Sequence, residues 1–317
     1  MHLCHVFTKK PNIHPMKKPA LAFLVLLYCI HLRAQNLNIC PTRTQHLTSE
    51  LLAAILLYKH NLHSSASTTT RWTGFSQHPL AIHLSGNFLP PSALSGLLFG
   101  GELAMESYGP FRNYSFLPSV SVLKTDRNFA SGYYAGLKAG FAAGRLISSG
   151  LVWRENEPIQ YETDGIIKAL IAYEAGGWIS FDRKRKILMV DFNSHNITDT
   201  ESKRNVFSRL VSGRYQVKWI NGNEESHTET TYELWLTDLK YITHTASFRY
   251  YSPIGLFGGI QLDSNFESAC LAGYRWHPAY SEDAFFDFAY TFGYSLARYG
   301  PFAGNSHGLS IRYSASL

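Results

Sequence analysis

The last thirty-odd residues set apolar and polar positions in strict alternation. Phe286, Phe288, Tyr290 and Phe292 are separated by Asp287, Ala289 and Thr291, and Leu309, Ile311 and Tyr313 by Ser310 and Arg312. A period of two puts successive side chains on opposite faces of an extended chain, so these are strands with one aromatic face and one small or polar face. The same period recurs in "RYQVKWI" (214–220), where Tyr215, Val217 and Trp219 oppose Gln216 and Lys218. In "TASFRYY" (245–251), Phe248 and Tyr250 oppose Ser247, Arg249 and Tyr251. Period alone leaves two solutions: a sandwich with the aromatic face turned to a protein core, or a membrane barrel with that face turned to lipid.

About fourteen such segments are predicted, beginning with "TTRWTGF" (69–75) and "LAIHLSGNF" (80–88) and ending with "AFFDFAYTFGY" (284–294) and "GLSIRY" (308–313). Tight connections such as Ser252-Pro253 alternate with long polar ones at 147–170, 193–213 and 221–230, the rhythm of strands running up and down. One stretch breaks the period. "LTSELLAAILLYKHNL" (47–62) follows Thr48 and Ser49 with leucine and alanine, which favours a helix by propensity and capping, with a first strand as the alternative.

Composition shifts the choice toward the membrane. Aromatic residues make up 14% and charged residues 16% of the 317, against roughly a quarter charged in an ordinary globular domain. The net charge of +6 does not indicate nucleic acid: Lys9, Lys10, Lys17, Lys18 and Arg33 stand in residues 1–35 without an acid, so the excess of base lies there. Met16-Lys17-Lys18, an apolar run from Ala20 to Ile30 and Ala34 have the layout of a secretory signal, with Met16 as the start and cleavage after Ala34. A lipoprotein reading on Cys29 is disfavoured by Tyr28 before it. That apolar run is too short for a bilayer, which needs about 20 residues. The expected organisation is a leader at 1–34, an N-terminal segment at 35–68 and a β-barrel at 69–317. Cys40 and Cys270 would remain after cleavage, too few for a disulfide framework or a metal cluster, and are read as unpaired, with a Cys40–Cys270 bridge as the alternative.

The barrel reading is all-β and antiparallel, with the aromatic face in lipid and the polar face lining a wet lumen. Lys138, Lys218, Arg249, Asp287 and Arg312 are the lumen-facing candidates, and Trp276, Tyr294 and Tyr251 are candidates for the aromatic girdles at the strand ends. Gly136, Gly140 and Gly144 fall on one strand face with Lys138 and Ala142, where their lack of a side chain allows close approach to the inner wall. A helical GxxxG reading of the same glycines is disfavoured by Lys138 within a run of fourteen residues.

No catalytic or metal-binding constellation emerges, and neither a cofactor nor an enzymatic activity is expected. The histidines lack HxxxH or HxH spacing, and His60 with His63 would give only two ligands on a helix face. Ser306 and His307 are adjacent, so on a strand they point apart. Glu155, Glu157, Glu162 and Asp164 read as a solvated outer loop, with a cation site as the alternative, and the run Arg183, Lys184, Arg185, Lys186 as a solvated hairpin tip, with an anion or lipid-headgroup contact as the alternative.

The order of segments resembles the PorP/SprF outer-membrane proteins of the type IX secretion and gliding apparatus of Bacteroidota. "TTRWTGF", "LLFGGELAMESYGPFRNYSF" and "YYAGLKAGF" are similar to that family's early strands. "GLFGGIQLDSNFESACLAGYRW" and "FFDFAYTFGYSLARYGPFAGNSHGLSIRY" are similar to its late paired strands and closing hairpin. The likeness covers 69–146 and 245–313. It implies an outer-membrane barrel that supports export or anchoring of a surface protein or adhesin, in contact with membrane lipid and with periplasmic and lipoprotein components of the machine. Two departures stand out: "LLAAILLYKHNLHSSA" replaces the family's Asn-Pro-Ala-Tyr-Ala-Gly-like segment, and the chain ends in "YSASL" rather than on an aromatic residue. A passive porin and, less favoured, a barrel enzyme acting on lipid are the alternative readings.

Overall fold

The computed structural model describes residues 47–316 apart from 72–79, 91–94, 109–110, 127, 147–165, 182–185, 198–211, 238–240, 265–266, 280–282 and 296–304. Among the described residues one helix, α1 (Leu47–Tyr58), precedes fourteen strands. These are β1 (Leu62–Arg71), β2 (Leu80–Phe88), β3 (Ser95–Tyr108), β4 (Phe111–Thr125), β5 (Ser131–Leu146), β6 (Ile166–Phe181) and β7 (Lys186–Ile197), followed by β8 (Ser212–Gly222), β9 (His227–Thr237), β10 (Tyr241–Tyr251), β11 (Leu256–Asp263), β12 (Glu267–Trp276), β13 (Ala284–Ser295) and β14 (Ser306–Ala315). Every strand pairs antiparallel with its sequence neighbours, and β1 pairs with β14 from Leu62↔Ala315 to Arg71↔Ser306, so the sheet closes without an edge. Closure satisfies the backbone groups that an open edge would leave bare in hydrocarbon.

Each strand expected from alternation has one counterpart. The first is displaced: β1 opens at Leu62 instead of Thr69, so residues 62–68 belong to the barrel, and 72–75 lie outside the described residues. "LHSSASTTTR" has hydroxyls on both faces and no aromatic alternation, and its strand state comes from its partners β14 and β2. The helix begins at Leu47, so Thr48 and Ser49 sit in its first turn rather than before it. It ends where Lys59 takes φ 61° and the amides of Lys59 and His60 bond back to Ile55 and Ala54.

The aromatic face is turned outward. Val122, Leu137 and Ile167 are 59%, 56% and 75% exposed, in a belt with Phe116, Phe141, Phe288 and Tyr290 that runs round the wall. A monomeric protein in water rarely carries an apolar patch above a few hundred Å²; a belt on a closed barrel fits the hydrocarbon of a bilayer. Among the described residues no helix is long and apolar enough to cross a membrane, so crossing is by strands. Trp276 and Tyr294 are outward near strand ends, as the girdle reading expects. Tyr251 is not: it shares the inward face of β10 with Arg249 and stacks on His227 and Phe257 at centroid separations of 4.3 and 4.9 Å.

One rim carries the start of β1, the end of β14 and the connections 89–94, 126–130, 182–185, 223–226, 252–255 and 277–283. The other rim takes 72–79, 109–110, 147–165, 198–211, 238–240, 264–266 and 296–305, including the longest connections. In outer-membrane barrels the short turns face the periplasm.

Two glycines let β5 close against β4. A Cβ on Gly136 would lie 2.0 Å from Ser121 Oγ, and one on Gly140 would lie 1.8 Å from the backbone oxygen of Phe116. The second neighbour cannot rotate away. Gly140→Ala is therefore expected to lower barrel stability by at least about 1–3 kcal/mol, the usual cost of overpacking. Gly86→Ala, whose Cβ would meet its nearest neighbour at 3.7 Å, is expected to stay within about 0.5 kcal/mol. Urea unfolding of both variants in lipid vesicles checks this.

Candidate functional site

The inner face of the barrel is charged, and α1 lies inside it. The helix has apolar side chains on nearly every side, the pattern of a helix buried all round. Leu51, Leu52 and Leu56 pack in one cluster with Leu98, Leu123, Tyr134, Trp178, Ile187 and Ile220, which are inward residues of β3 to β8 near the periplasmic rim. Glu50 and Tyr58 reach β8, β12 and β14, and Tyr58 also packs against the leucine cluster. Lys218 Nζ donates to Glu50 Oε1 at 2.9 Å, Arg312 Nη1 donates to Glu50 Oε2 at 3.5 Å, and Arg275 Nη1 donates to the Tyr58 hydroxyl. At about 1.5 Å per residue the helix is some 18 Å long. With contacts to β3 through β8, β12 and β14, it occupies the periplasmic end of the lumen.

The five lumen candidates all occupy the inner face. Lys218 joins α1 through Glu50 and also lies 3.7 Å from Glu229, which sits 3.6 Å from His227. Arg312 reaches Glu50 and donates to Tyr251 Oη at 3.3 Å. Arg249 lies in the field of Glu229, Glu50 and Arg312, opposite Gly259, where a Cβ would press within 2.9 Å of its side chain. Asp287 accepts both arms of Arg275, Nε at 2.7 Å and Nη2 at 2.9 Å, and stands opposite Arg312 across β13–β14. These four belong to one group round the helix. Lys138 belongs to another, further from the periplasmic rim: its ammonium binds Glu102 and lies 3.3 Å from Glu174, while Ser121 Oγ donates to Glu174 at 2.6 Å. This brace runs from β3 to β6 across the inner face of β4. A third group joins Arg214 to Glu233 at 2.5 Å, with the guanidinium over the Trp235 ring at 4.8 Å.

Burial alone would raise the Glu50 carboxyl, but the Lys218 ammonium and then the Arg312 guanidinium outweigh it and hold it down to about 2. Burial pushes the Tyr58 phenol above its usual range. His60, just past the helix, is held down to about 4 by burial, against the pull of the Asp283 carboxylate.

Arg275 was not among the expected lumen residues and has several partners in the interior. Besides Asp287 and Tyr58, it lies over the rings of Phe285, Tyr58 and Tyr251 at 4.0, 4.8 and 4.9 Å. Its place between outward Tyr274 and Trp276 is the same alternation that marked Arg249, and Glu102 and Glu174 carry that signal too. Glu50 had none, because its helix has no strand period.

The candidates for chemistry do not come together. Ser306 faces inward beside Gly293, whereas His307 faces outward, 2.6 Å from the Tyr290 hydroxyl. His60 and His63 do not share a helix face: His60 follows α1, and His63 is on β1, bonded to Ser314 Oγ at 2.8 Å. Among the described residues no group of three His, Cys, Asp or Glu side chains could hold a metal. Cys270 is exposed on the outer face; Cys40, the acidic run 155–164 and Arg183 to Arg185 lie outside the described residues.

No family model matches the chain, and no curated protein matches it. Solved structures share its architecture. The CymD monoaromatic hydrocarbon channel superposes with a TM-score of 0.53 at 10% identity, over 81% of this chain and 89% of that one. The toluene transporter TodX of Pseudomonas putida gives 0.53 at 9%, over 84% and 92%. At such identities the likeness speaks to the fold alone. The fold, the lipid-facing belt and these neighbours define the chain as a closed fourteen-stranded β-barrel of the outer membrane.

Lys138→Met would leave Glu102 and Glu174 without the ammonium that joins them. Breaking a buried pair on one side costs about 3–5 kcal/mol, and the expected result is a matching fall in the urea midpoint, largely recovered when both glutamates are also made Gln. Acid should loosen α1 in two stages. The His60 value in the docked state lies below its ordinary 6.5, so the undocked form takes the proton first, and docking strength present above pH 6.5 is lost as pH falls toward 4. Glu50, ordinarily at 4.5, adds a second loss between pH 4.5 and about 2. Amide exchange of residues 47–58 at graded pH should show protection falling over both windows.

Proposed function

We propose that this barrel is a plugged outer-membrane component of a protein-export machine, supporting the export or surface anchoring of an adhesin-like protein, rather than a passive pore. The observation that carries the reading is the position of α1, seated at the periplasmic end of the lumen by polar contacts of Glu50 and Tyr58 and by a leucine cluster. A diffusion pore needs a continuous column of water, and this interior is occupied and cross-braced where solutes would leave it. The resemblance of residues 69–146 and 245–313 to PorP/SprF proteins supports the type IX assignment. In that reading lipid holds the outer belt, and the rims meet periplasmic and lipoprotein partners and the secreted cargo.

A second reading is passage of a small molecule once α1 moves. It is favoured by two barrels of similar form, a monoaromatic hydrocarbon channel and a toluene transporter, and by the apolar inner patch Leu117, Ala142 and Leu170 beyond the plug.

In planar bilayers the intact protein is expected to be silent and a variant lacking residues 47–58 to conduct. Cells without the gene should lose one or a few large proteins from their surface, and the wild-type gene should restore them. Steady conductance from the intact barrel, or an unchanged surface proteome, overturns the proposal. An unchanged surface together with slower uptake of an apolar solute establishes the second reading instead.

A further inference from the structure

Glu50 is the single charged residue of α1, and the charges it meets belong to the wall. Lys218 on β8 donates to one carboxylate oxygen at 2.9 Å and Arg312 on β14 to the other at 3.5 Å. Arg249 on β10 and Glu229 on β9, partners in the β9–β10 register, also act on it. With the Arg275–Asp287 pair beside them, four bases (Lys218, Arg249, Arg275 and Arg312) stand against three carboxylates, Glu50, Glu229 and Asp287, among the described residues here. One of the three arrives on the helix.

The wall therefore builds a seat for a carboxylate that the wall does not itself fill. Strands β8 and β14 are not neighbours in the sheet, so an anion between Lys218 and Arg312 joins two separate stretches of it. The Lys218 and Arg312 side chains are 2% and 9% exposed, whereas that of Glu50 is 17% exposed, so the carboxylate is the part of the group that the lumen still reaches. Removing one partner of a buried ion pair leaves an uncompensated charge, which is far more costly than the pair is worth. Departure of α1 would leave four bases against two carboxylates, and another anion in the seat offsets that cost. Lysine and arginine together hold carboxylate oxygens by charge-assisted hydrogen bonds, whichever molecule carries them.

We propose that Lys218, Arg249 and Arg312 form a binding site for a carboxylate-bearing solute, filled by Glu50 while α1 is docked and by the solute when α1 leaves. Arrival of the anion and departure of the helix are then one exchange, because both need the same bases. This rests on the reading of α1 as a plug and names the chemistry that displaces it.

The test uses the full protein in lipid vesicles with acetate as the probe, since Glu50→Ala removes from the side chain a group of that size and charge. E50A should exchange the amides of residues 47–58 on the order of tenfold faster than wild type. Sodium acetate in place of chloride, at fixed ionic strength, should recover most of that factor. Acetamide, the neutral isostere, should recover none of it, and E50A/K218M should not respond to acetate. In planar bilayers, adding K218M/R312M to the variant lacking residues 47–58 should shift its reversal potential toward cation preference, as loss of lining bases does in an anion path. Heat-dependent gel mobility verifies that each variant is a folded barrel, and if E50A does not fold, the reversal potential decides. Equal recovery by acetate and acetamide, a response to acetate that survives K218M, or an unmoved reversal potential overturns the proposal. A silent deletion variant overturns the plug reading instead, while recovery of E50A by acetate alone still establishes the seat.

Discussion

Hydrocarbon offers no partner to a backbone N–H or C=O, and that requirement governs the rest of this molecule. Fourteen strands meet it by closing on one another through β1 and β14. Once the wall is closed, each strand has one face toward lipid and one toward the interior, and polarity must follow the pleat. A shift of one residue in β13 would carry Asp287 into the bilayer and aromatic rings into the lumen. Register, charge and burial are therefore one constraint, visible in the opposition of outward Phe286 and Phe288 to inward Asp287.

The interior then has to be made compatible with so many charges. Ion pairs between neighbouring strands answer part of this, as in Arg275–Asp287, and longer braces answer the rest, as in Glu102–Lys138–Glu174. The braces need room on the strand they cross. Ser121 on β4 and Gly136 on β5 provide it, the serine also donating to Glu174. At the periplasmic end the filling is α1, which meets the wall with leucines packed on β3 to β8 and with Glu50 and Tyr58 bonded to β8, β12 and β14. A helix of that composition would be insoluble in a wet channel; inside a packed cluster it is stable, and its lone carboxylate meets Lys218 and Arg312.

The fold was legible because period two is a local property. Alternating segments account for the strands after the first, and the inward placement of Lys138, Lys218, Arg249, Asp287 and Arg312 follows from their apolar neighbours on the other face. Where a strand has hydroxyls on both faces, as in residues 62–68, the period is silent and the strand is specified only by its partners. Tyr251 shows the limit in another way: an aromatic residue at a strand end suggests a girdle, but its parity with Arg249 turns it inward onto His227. Arg275, Glu102 and Glu174 carried the same alternation as the expected residues, and what marks them out is their partners on other strands.

Taken alone, the amino-acid order determined the strand count, the faces of most strands and the contrast between an apolar belt and a charged interior, since each rests on side chains within a few residues of one another. The tertiary structure decided where the helix goes and which charges pair. Those outcomes depend on contacts between residues far apart in sequence, such as Glu50 with Lys218 and Arg312, or Lys138 with Glu102 and Glu174. The Lys138 brace needs β3 to β6 paired in register, and the Glu50 contacts need α1 held between β8 and β14 inside the closed wall.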